Sequence, residues 1–350
     1  MKRVGILGLP QSGKSTLFEI LLQGSGAAPA TQGREAVGVV RVPDERVDRL
    51  SELYHPKKTT HTQIQFVDTV AAGHTSARVA AKGPDLFAGV RNCDALVAVV
   101  RDFQNPAVPA AKGVDPARDQ RDLDVELIFN DLAICETRIE RIEKELRVGK
   151  KQAEPEHQAL LKCKSCLEAE RPLRAGTLTT EDLRLLRGFQ LLTLKPLLVV
   201  YNQDDVSDRR PLDAGAGTRT VTLKAHLERE IVTLPAGERA AFRDELGAGE
   251  DGLSLVIRAC YDLLGLISFF TVGPDEVRAW AVHRGDTAVD AAAEIHTDLA
   301  KGFIRAEVIP YDQLLAVGGQ APAREKGLLR LEGREYRVVD GDCIEIRFNK

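Results

Sequence analysis

The chain has 350 residues, with 48 lysines and arginines against 52 aspartates and glutamates, and its formal net charge is −4. This length accommodates two or three domains, and the near-neutral charge argues against a protein that coats nucleic acid by bulk electrostatics. No stretch approaches the ~18 consecutive apolar residues of a membrane span, and the apolar run after Met1 leads into a glycine-rich loop without a signal-peptide cleavage site. Because no membrane span is predicted, we expect no membrane partner. The six scattered cysteines lack the spacing of a disulfide framework, so we expect a reducing, cytoplasmic location.

Short apolar runs predict the strands of a sheet. Residues 95–100 and 196–201 are almost wholly apolar, which is typical of parallel strands covered on both faces. Because helical patterns separate the runs, we predict an α/β fold with a doubly wound sheet. The predicted strands are 2–8, 37–42, 63–67, 95–100, 196–201 and 218–223. Residues 24–36, rich in Gly, Ala and Pro, predict a mobile loop instead.

A long insertion, residues 104–190, separates the fourth predicted strand from the fifth. Its first part has apolar residues at alternating spacings of four and three, with charged residues between them, which indicates a coiled-coil-like helix. The apolar positions are Ile128, Leu132, Cys135, Ile139, Ile142 and Leu146. Residues 149–155 interrupt this pattern and 156–170 resume it. The insertion is therefore predicted to be an antiparallel helical hairpin.

The pattern changes near residue 265. Short strand-like stretches (268–272, 277–282, 303–309, 337–339 and 343–348) surround one predicted helix, 288–300. This alternation predicts a compact α+β module. We therefore divide the chain into a first domain, residues 1–264, interrupted by the 104–190 insertion, and a second domain, residues 265–350.

Residues 8–15 spell G-L-P-Q-S-G-K-S, a complete G-x-x-x-x-G-K-S motif between a predicted strand and a predicted helix. In such a loop, backbone N–H groups surround phosphates and the helix N-terminus adds its positive end. Lys14 is expected to reach the β- and γ-phosphates as a catalytic residue, and the Ser15 hydroxyl is expected to bind Mg²⁺. The predicted phosphate contacts are Gln11, Ser12, Gly13, Lys14, Ser15 and Thr16.

Two strand ends complete the predicted nucleotide site. Asp68 follows an apolar strand and is placed to hold Mg²⁺ through water, although an aspartate there could also cap the next turn. Asn202 and Asp205 follow the strand at 196–201. A carboxylate at this place can accept hydrogen bonds from guanine while the asparagine braces the loop. A polar turn is the alternative, but the phosphate loop upstream favours recognition of a purine.

With these motifs in place, the chain resembles the YchF/Obg-like ATPase family of translation-factor-related P-loop NTPases along essentially its whole length. The similar stretches are 8–18, 37–50, 55–58, 192–205, 269–280 and 295–309. The resemblance implies a P-loop G domain, a helical-hairpin insertion and a C-terminal TGS domain of the β-grasp type. It also implies slow hydrolysis of ATP or GTP, and association with the ribosome or RNA through the hairpin and the TGS domain.

The switch segments depart from the family pattern. The family's D-x-x-G is Asp68-Thr69-Val70-Ala71 here, and the loop at 105–114 lacks the histidine on which the family relies. His74 is the nearest candidate for that catalytic role, although a lone histidine in a loop is more often simply solvated. Thr31 is the candidate for the switch-I threonine that completes Mg²⁺ coordination, and Gln32 is equally close by count.

The base-recognition motif also departs from the family pattern. The family has N-x-x-E, whereas this chain has Asn202-Gln203-Asp204-Asp205. The aspartate favours guanine, Gln203 replaces the lysine of conventional GTPases, and Lys224 and Ala225 fall at the family's last nucleotide contact. The bound ligand is therefore expected to be GTP/GDP or ATP/ADP, with Mg²⁺.

The sequence as a whole predicts a Mg²⁺-dependent purine-nucleotide-binding protein with weak nucleoside-triphosphatase activity. Such a protein would act as a switch linked to the ribosome or to translation. The alternative is a nucleotide-binding scaffold with negligible hydrolysis, given the missing glycine and histidine.

Overall fold

The computed structural model describes residues 1–26, 30–32, 35–69, 87–110, 113–149, 151–176, 178–204, 217–246, 249 and 251–349. The chain forms two units. The first contains Met1–Val40 and Gln65–Cys260, and the second contains Arg41–Ile64 and Tyr261–Lys350. The sequence-based division assigned residues 41–64 to the first domain, whereas the structure packs them with the C-terminal residues.

The described strands, in chain order, are β1 (Lys2–Gly8), β2 (Ala30–Gln32), β3 (Glu35–Arg41), β4 (Lys58–Thr60), β5 (Gln63–Thr69), β6 (Ala95–Asp102), β7 (Leu197–Gln203), β8 (Thr218–Leu223), β9 (Leu266–Thr271), β10 (Glu276–His283), β11 (Phe303–Pro310), β12 (Arg330–Glu332) and β13 (Asp342–Phe348). All six strands predicted for the first domain are present, with ends that differ by a few residues.

The described α-helices are α1 (Lys14–Gly24), α2 (Glu45–Tyr54), α3 (Ala88–Arg91), α4 (Pro116–Arg147), α5 (Glu154–Glu168), α6 (Thr180–Leu186), α7 (Ala225–Thr233), α8 (Ala236–Glu245), α9 (Gly252–Leu263), α10 (Ala288–Ile295), α11 (Thr297–Lys301), α12 (Tyr311–Val317) and α13 (Gln320–Glu325). The helix predicted over 288–300 is divided in two, because His296 has an extended backbone and its side chain accepts from the Asp298 N–H to begin α11.

The sheet of the first unit has the strand order β2-β3-β5-β1-β6-β7-β8. Strands β1 and β6, β6 and β7, and β7 and β8 pair in parallel. Every residue of β6 and β7 is buried, as their continuous apolar sequences predict. The carboxyl ends of β1, β6 and β7 therefore lie along one edge of the sheet. The phosphate loop follows β1 at this edge, and the base-recognition residues follow β7.

The prediction of a loop over residues 24–36 is wrong for its described C-terminal part. Ala30–Gln32 forms the short edge strand β2, which pairs antiparallel with β3. Ladder hydrogen bonds use backbone groups, so a segment of weak strand propensity can pair when a neighbouring strand offers an edge.

The insertion contains the predicted antiparallel hairpin, formed by α4 and α5. Glu136 pairs with Lys164 at 3.0 Å, and Glu143 lies 3.9 Å from His157, so the two helices run in opposite directions. Their shared core contains the predicted heptad residues Ile128, Cys135, Ile139 and Ile142, with Leu132 and Leu146 packed against it. This core also includes Cys163 of the C-x-x-C sequence, and all six cysteines are free thiols.

The second unit is built on a sheet with the order β12-β11-β13-β9-β10-β4. One apolar cluster joins the sheet to α10, and another joins it to α2 and α12. Arg46 of α2 is held within this unit, because its guanidinium bonds Asp44 and Asp340 and stacks on the ring of Phe270. Residues 41–64 therefore belong to this core, although they lie between two strands of the other sheet in sequence.

The structure contains no candidate for a membrane-crossing helix among the residues it describes, as none of their helices is both long enough and apolar enough. The same residues contain no group of three or more His, Cys, Asp or Glu side chains that could hold a metal ion.

Candidate nucleotide site

The predicted phosphate loop connects β1 directly to α1. Gly13 precedes the helix with φ 96°, and Gln11 also has a positive φ of 64°. A Cβ on Gly8 would lie 2.6 Å from the Val99 carbonyl oxygen, and one on Gly13 would overlap the Asn202 amide nitrogen. Both glycines are therefore required by the close approach of neighbouring groups, and Gly13 also by its left-handed backbone.

The N-terminus of α1 is open to an anion. Gly13 provides no side-chain cap, and the first turn of the helix contains no acidic residue. The first N–H groups of a helix have no partner within it and carry partial positive charge. An open helix start after a tight glycine turn suits a phosphate group.

Lys14 and Asp68 lie opposite each other in this site. Nζ of Lys14 is 3.3 Å from Oδ1 of Asp68, which is within ion-pair distance. Asp68 is buried, and among the described residues no donor is aligned to form a hydrogen bond with this oxygen. Burial raises the pKa of Asp68, and the nearby Lys14 opposes this shift. The end of β5 thus presents a carboxylate oxygen beside the phosphate loop.

These groups fit a magnesium ion by their chemistry. Mg²⁺ prefers oxygen ligands and is usually bound through one or two protein groups plus phosphates and water. Within the described part of the chain, the buried Oδ1 of Asp68 is such a ligand and accepts no hydrogen bond. The exposed Ser15 adds a hydroxyl in the first turn of α1. Thr31, the predicted switch-I ligand, lies in β2, where its backbone pairs with Ala36.

Asn202 connects three parts of the site. Its Nδ2 donates to the Ser12 carbonyl at 3.1 Å, and its Oδ1 accepts from the Ala225 N–H at 3.2 Å. Ala225 begins α7, and Lys224 precedes it. The asparagine therefore braces the phosphate loop against the loop after β8.

The base-recognition residues are only partly brought to this site. Gln203 is buried, and its Nε2 donates to Asp102 of the neighbouring strand β6 at 3.0 Å. Asp204, which sequence analysis did not select, has a buried Oδ1 without a hydrogen-bond partner within the described part of the chain. Asp205 and His74 lie outside the described residues.

The structure adds Arg101, which sequence analysis did not select. It is the seventh residue of β6, is 4% exposed and lines a small cleft with Pro10 and Ser12 of the phosphate loop. The sequence signal was a charged pair, Arg101-Asp102, directly after six apolar residues of a buried strand. A buried charge next to a glycine-rich loop is a feature of functional sites.

Comparison with known proteins gives close full-length relatives. The chain is 40% identical over 360 residues to the ribosome-binding ATPase YchF of Bacillus subtilis (strain 168), covering 99% of this chain and 98% of that protein. It is 38% identical over 359 residues to the ribosome-binding ATPase YchF of Escherichia coli O157:H7, covering 99% of each. A family model named YchF-GTPase_C, described as a protein of unknown function (DUF933), matches residues 266–349.

The solved structure of the Schizosaccharomyces pombe YchF GTPase has a similar fold. The two structures superpose with a TM-score of 0.83 at 26% sequence identity, over 99% of this chain and 97% of that one. The predicted fold class, a P-loop α/β domain with a helical insertion and a C-terminal α+β domain, is confirmed by this similarity.

Proposed function

This chain belongs to the YchF family, and from that premise we propose that it is a Mg²⁺-dependent purine-nucleotide-binding protein with weak nucleoside-triphosphatase activity. The observation that carries the proposal is the ion pair of Lys14 and Asp68 across the open start of α1. A half-buried lysine and a buried aspartate beside a phosphate loop are the charges that a bound nucleotide and its metal ion would engage.

Each residue of the loop has a distinct role in this proposal. The backbone N–H groups from Gln11 to Thr16 surround the phosphates, and Lys14 leaves Asp68 to bind the β- and γ-phosphates. Ser15 and Asp68 hold the Mg²⁺, Asp68 through water, with Thr31 as the proposed switch-I ligand. When bound, the metal ion neutralises charge that develops on the phosphates.

The proposed base contacts follow β7 and β8. Asp205 accepts hydrogen bonds from the base, Asn202 holds the two loops together, and Lys224 and Ala225 flank the base. Asp205 in place of glutamate favours guanine. The names of the relatives include both activities, since the bacterial proteins are called ATPases and the fission-yeast protein is called a GTPase. Both nucleotide series are therefore included in the test.

The proposed partner is the ribosome. The bacterial relatives are named ribosome-binding proteins, and we assign the contact to the hairpin of α4 and α5 and to the C-terminal unit. The near-neutral net charge requires a local contact surface, since bulk electrostatics would not supply the affinity. A protein that works on ribosomes is placed in the cytoplasm.

The test is the melting temperature of the full chain with GDP, ADP and the matching triphosphates, each with and without Mg²⁺. A ligand that binds the folded state raises the melting temperature, so the cognate series should raise it further with Mg²⁺. Lys14→Ala should abolish the shift, whereas Lys151→Ala, an exposed lysine of the insertion, should keep it. A shift that survives in Lys14→Ala would disprove the site assignment.

A nucleotide-binding scaffold with negligible hydrolysis is the second candidate. It is favoured by Ala71 in place of the switch glycine and by the absence of histidine from residues 105–114. Phosphate release in a single turnover separates the two candidates. Release above the rate without protein supports the triphosphatase, and release at that rate supports the scaffold.

A further inference from the structure

Arg101 is a buried cation of the first unit. The guanidinium is held by neutral groups: Nε donates to the Phe103 carbonyl at 3.2 Å, Nη2 donates to the Val108 carbonyl at 2.6 Å, and Nη1 lies 3.5 Å from Gln11 Oε1. The guanidinium carbon also lies 4.6 Å from the centre of the Phe103 ring. These contacts orient the cation without neutralising it.

Two other arginines of the first unit with well-shielded side chains have carboxylate partners. Arg174 pairs with Asp124 at 2.7 Å, and Arg243 pairs with Glu228 at 2.5 Å. For Arg101, no carboxylate oxygen lies within 4.0 Å among the residues that the structure describes. Asp119 lines the same cleft, but its carboxylate accepts hydrogen bonds from Arg118 at 2.8 and 3.0 Å.

An unpaired charge is expensive to bury, because it loses its hydration without gaining a counter-ion. A protein can bear this cost where a ligand brings the missing charge. The position of Arg101 identifies the ligand, because the cleft is shared with Leu9, Pro10 and Ser12 of the phosphate loop. The Ser12 hydroxyl in that cleft is also buried, and no described residue forms a hydrogen bond with it.

We propose that Arg101 is the charge-compensating residue of the nucleotide site, and that the phosphates of the bound nucleotide supply its missing negative charge. The guanidinium would attract the phosphates electrostatically at short range, because the wall of the cleft has a low dielectric constant. Its contacts with Phe103, Val108 and Gln11 would at the same time hold the 103–108 loop against the phosphate loop. This inference rests on the proposed nucleotide binding. It adds a second cation, besides Lys14, that favours nucleotides with more phosphates.

The test uses the full chain and three nucleotides that share one base and differ in the number of phosphates. They are the monophosphate, the diphosphate and a non-hydrolysable triphosphate, each with Mg²⁺ present. Arg101→Gln removes the charge and keeps hydrogen-bond donors. We expect it to weaken triphosphate binding about thirtyfold and monophosphate binding less than about threefold, since the loss should grow with the phosphate charge. Arg101→Lys keeps the charge and should recover part of the triphosphate affinity.

Arg174→Gln is the matched control, because Arg174 is buried in the same unit but paired with Asp124. It should destabilise the nucleotide-free protein and change the three affinities by the same factor. An equal loss along the series in Arg101→Gln, or no loss, would overturn the inference. If the unchanged protein binds none of the nucleotides, the proposed function itself fails, and the inference fails with it.

Discussion

Lys14 and Asp68 are counter-ions, with Nζ 3.3 Å from Oδ1 and with side chains that are 15% and 8% exposed. Each residue neutralises the charge of the other, as a ligand of opposite charge would do. Binding of a nucleotide with its metal ion would separate the pair, because the lysine is then drawn to phosphate and the aspartate to the metal. Replacing Lys14 should therefore remove a phosphate ligand, whereas replacing Asp68 should remove a metal ligand.

The first prediction concerns the metal dependence of binding. Asp68→Asn should lower triphosphate affinity about tenfold in the presence of Mg²⁺, because the amide is a weaker metal ligand than a carboxylate. Without Mg²⁺, the affinity should be unchanged or higher, because Lys14 is no longer held by a carboxylate. Titration calorimetry with and without Mg²⁺ measures both values. A variant that responds to Mg²⁺ as strongly as the original protein would remove Asp68 from the metal site.

The second prediction concerns pH. Burial raises the pKa of Asp68 above its ordinary value, so the folded protein holds this proton more tightly than the unfolded chain does. The stability that this group contributes is complete below the ordinary pKa of about 3.9 and is lost as the pH rises through the raised value. Relative to Asp68→Asn, which does not titrate, the protein without nucleotide should therefore lose stability as the pH rises above about 4. Urea unfolding checks this, and a difference that grows in the opposite direction would contradict it.

Asn202 gives the third prediction. Its amide bridges the Ser12 carbonyl and the Ala225 N–H, and both bonds are buried. Asn202→Ala should cost about 1–3 kcal/mol in the free energy of unfolding, because it leaves a buried acceptor and a buried donor without partners. Nucleotide affinity should fall alike for diphosphate and triphosphate, since the bridge positions the loop and not one phosphate.

A comparison variant separates the two bonds of this bridge. Asn202→Asp keeps the acceptor for Ala225 but places a carboxylate oxygen against the Ser12 carbonyl, so its affinity loss should be at least as large as that of Asn202→Ala. Chemical unfolding and calorimetry on both variants measure stability and affinity separately. Nucleotide affinity that stays at the original value in both variants would show that the bridge is irrelevant to binding.

Local patterns were sufficient to predict much of the fold. The apolar runs that became β6 and β7 are buried throughout, and the heptad residues of α4 form the core with α5. In these elements the sequence period itself determines which face is buried. The placement of residues 41–64 could not be predicted in this way. Strand β4 has three residues and pairs with β10, more than 200 positions later in the chain.

The same limit applies to the site. The phosphate loop and Asn202 could be identified because their chemistry requires particular residues at fixed spacing. The side chain of Gln203 could not be placed, since its burial against Asp102 depends on the neighbouring strand. Arg101 was missed because nothing in its local sequence shows whether a carboxylate lies nearby. Pairing of buried charges is a property of the tertiary structure.

Asp131 gives the fourth prediction. This fully buried carboxylate of α4 accepts from the backbone N–H groups of Leu192 and Thr193 and from the Thr193 hydroxyl, at 2.7–2.9 Å. It joins the insertion to the segment that leads into β7. Asp131→Ala should cost about 3 kcal/mol in the free energy of unfolding, because three donors lose a charged acceptor. Thr193→Val removes one of these donors and should cost about 1 kcal/mol. Equal costs in urea unfolding would show that the backbone bonds contribute nothing.

The fifth prediction is the acid sensitivity of the insertion. Asp182 forms a capping box with Thr179 at the start of α6 and accepts from Lys162 of α5 at 2.9 Å. The Lys162 bond and the bonds from Thr179 lower the pKa of Asp182 from 3.8 to about 2. The folded protein therefore releases this proton more readily than the unfolded chain, and the resulting stability is present above pH 3.8 and lost as the pH falls through about 2.

Asp182→Asn isolates this contribution, because the amide keeps an acceptor for Thr179 but has no charge for Lys162. The original protein should be more stable than the variant at neutral pH, and the two should converge as the pH falls from 3.8 to about 2. Thr179→Ala, which removes the cap but keeps the carboxylate, should cost about 1 kcal/mol. Unfolding of the insertion can be followed by helical circular dichroism across this range. If the gap between the original protein and Asp182→Asn persists below the lowered pKa, ionisation of Asp182 is not its source.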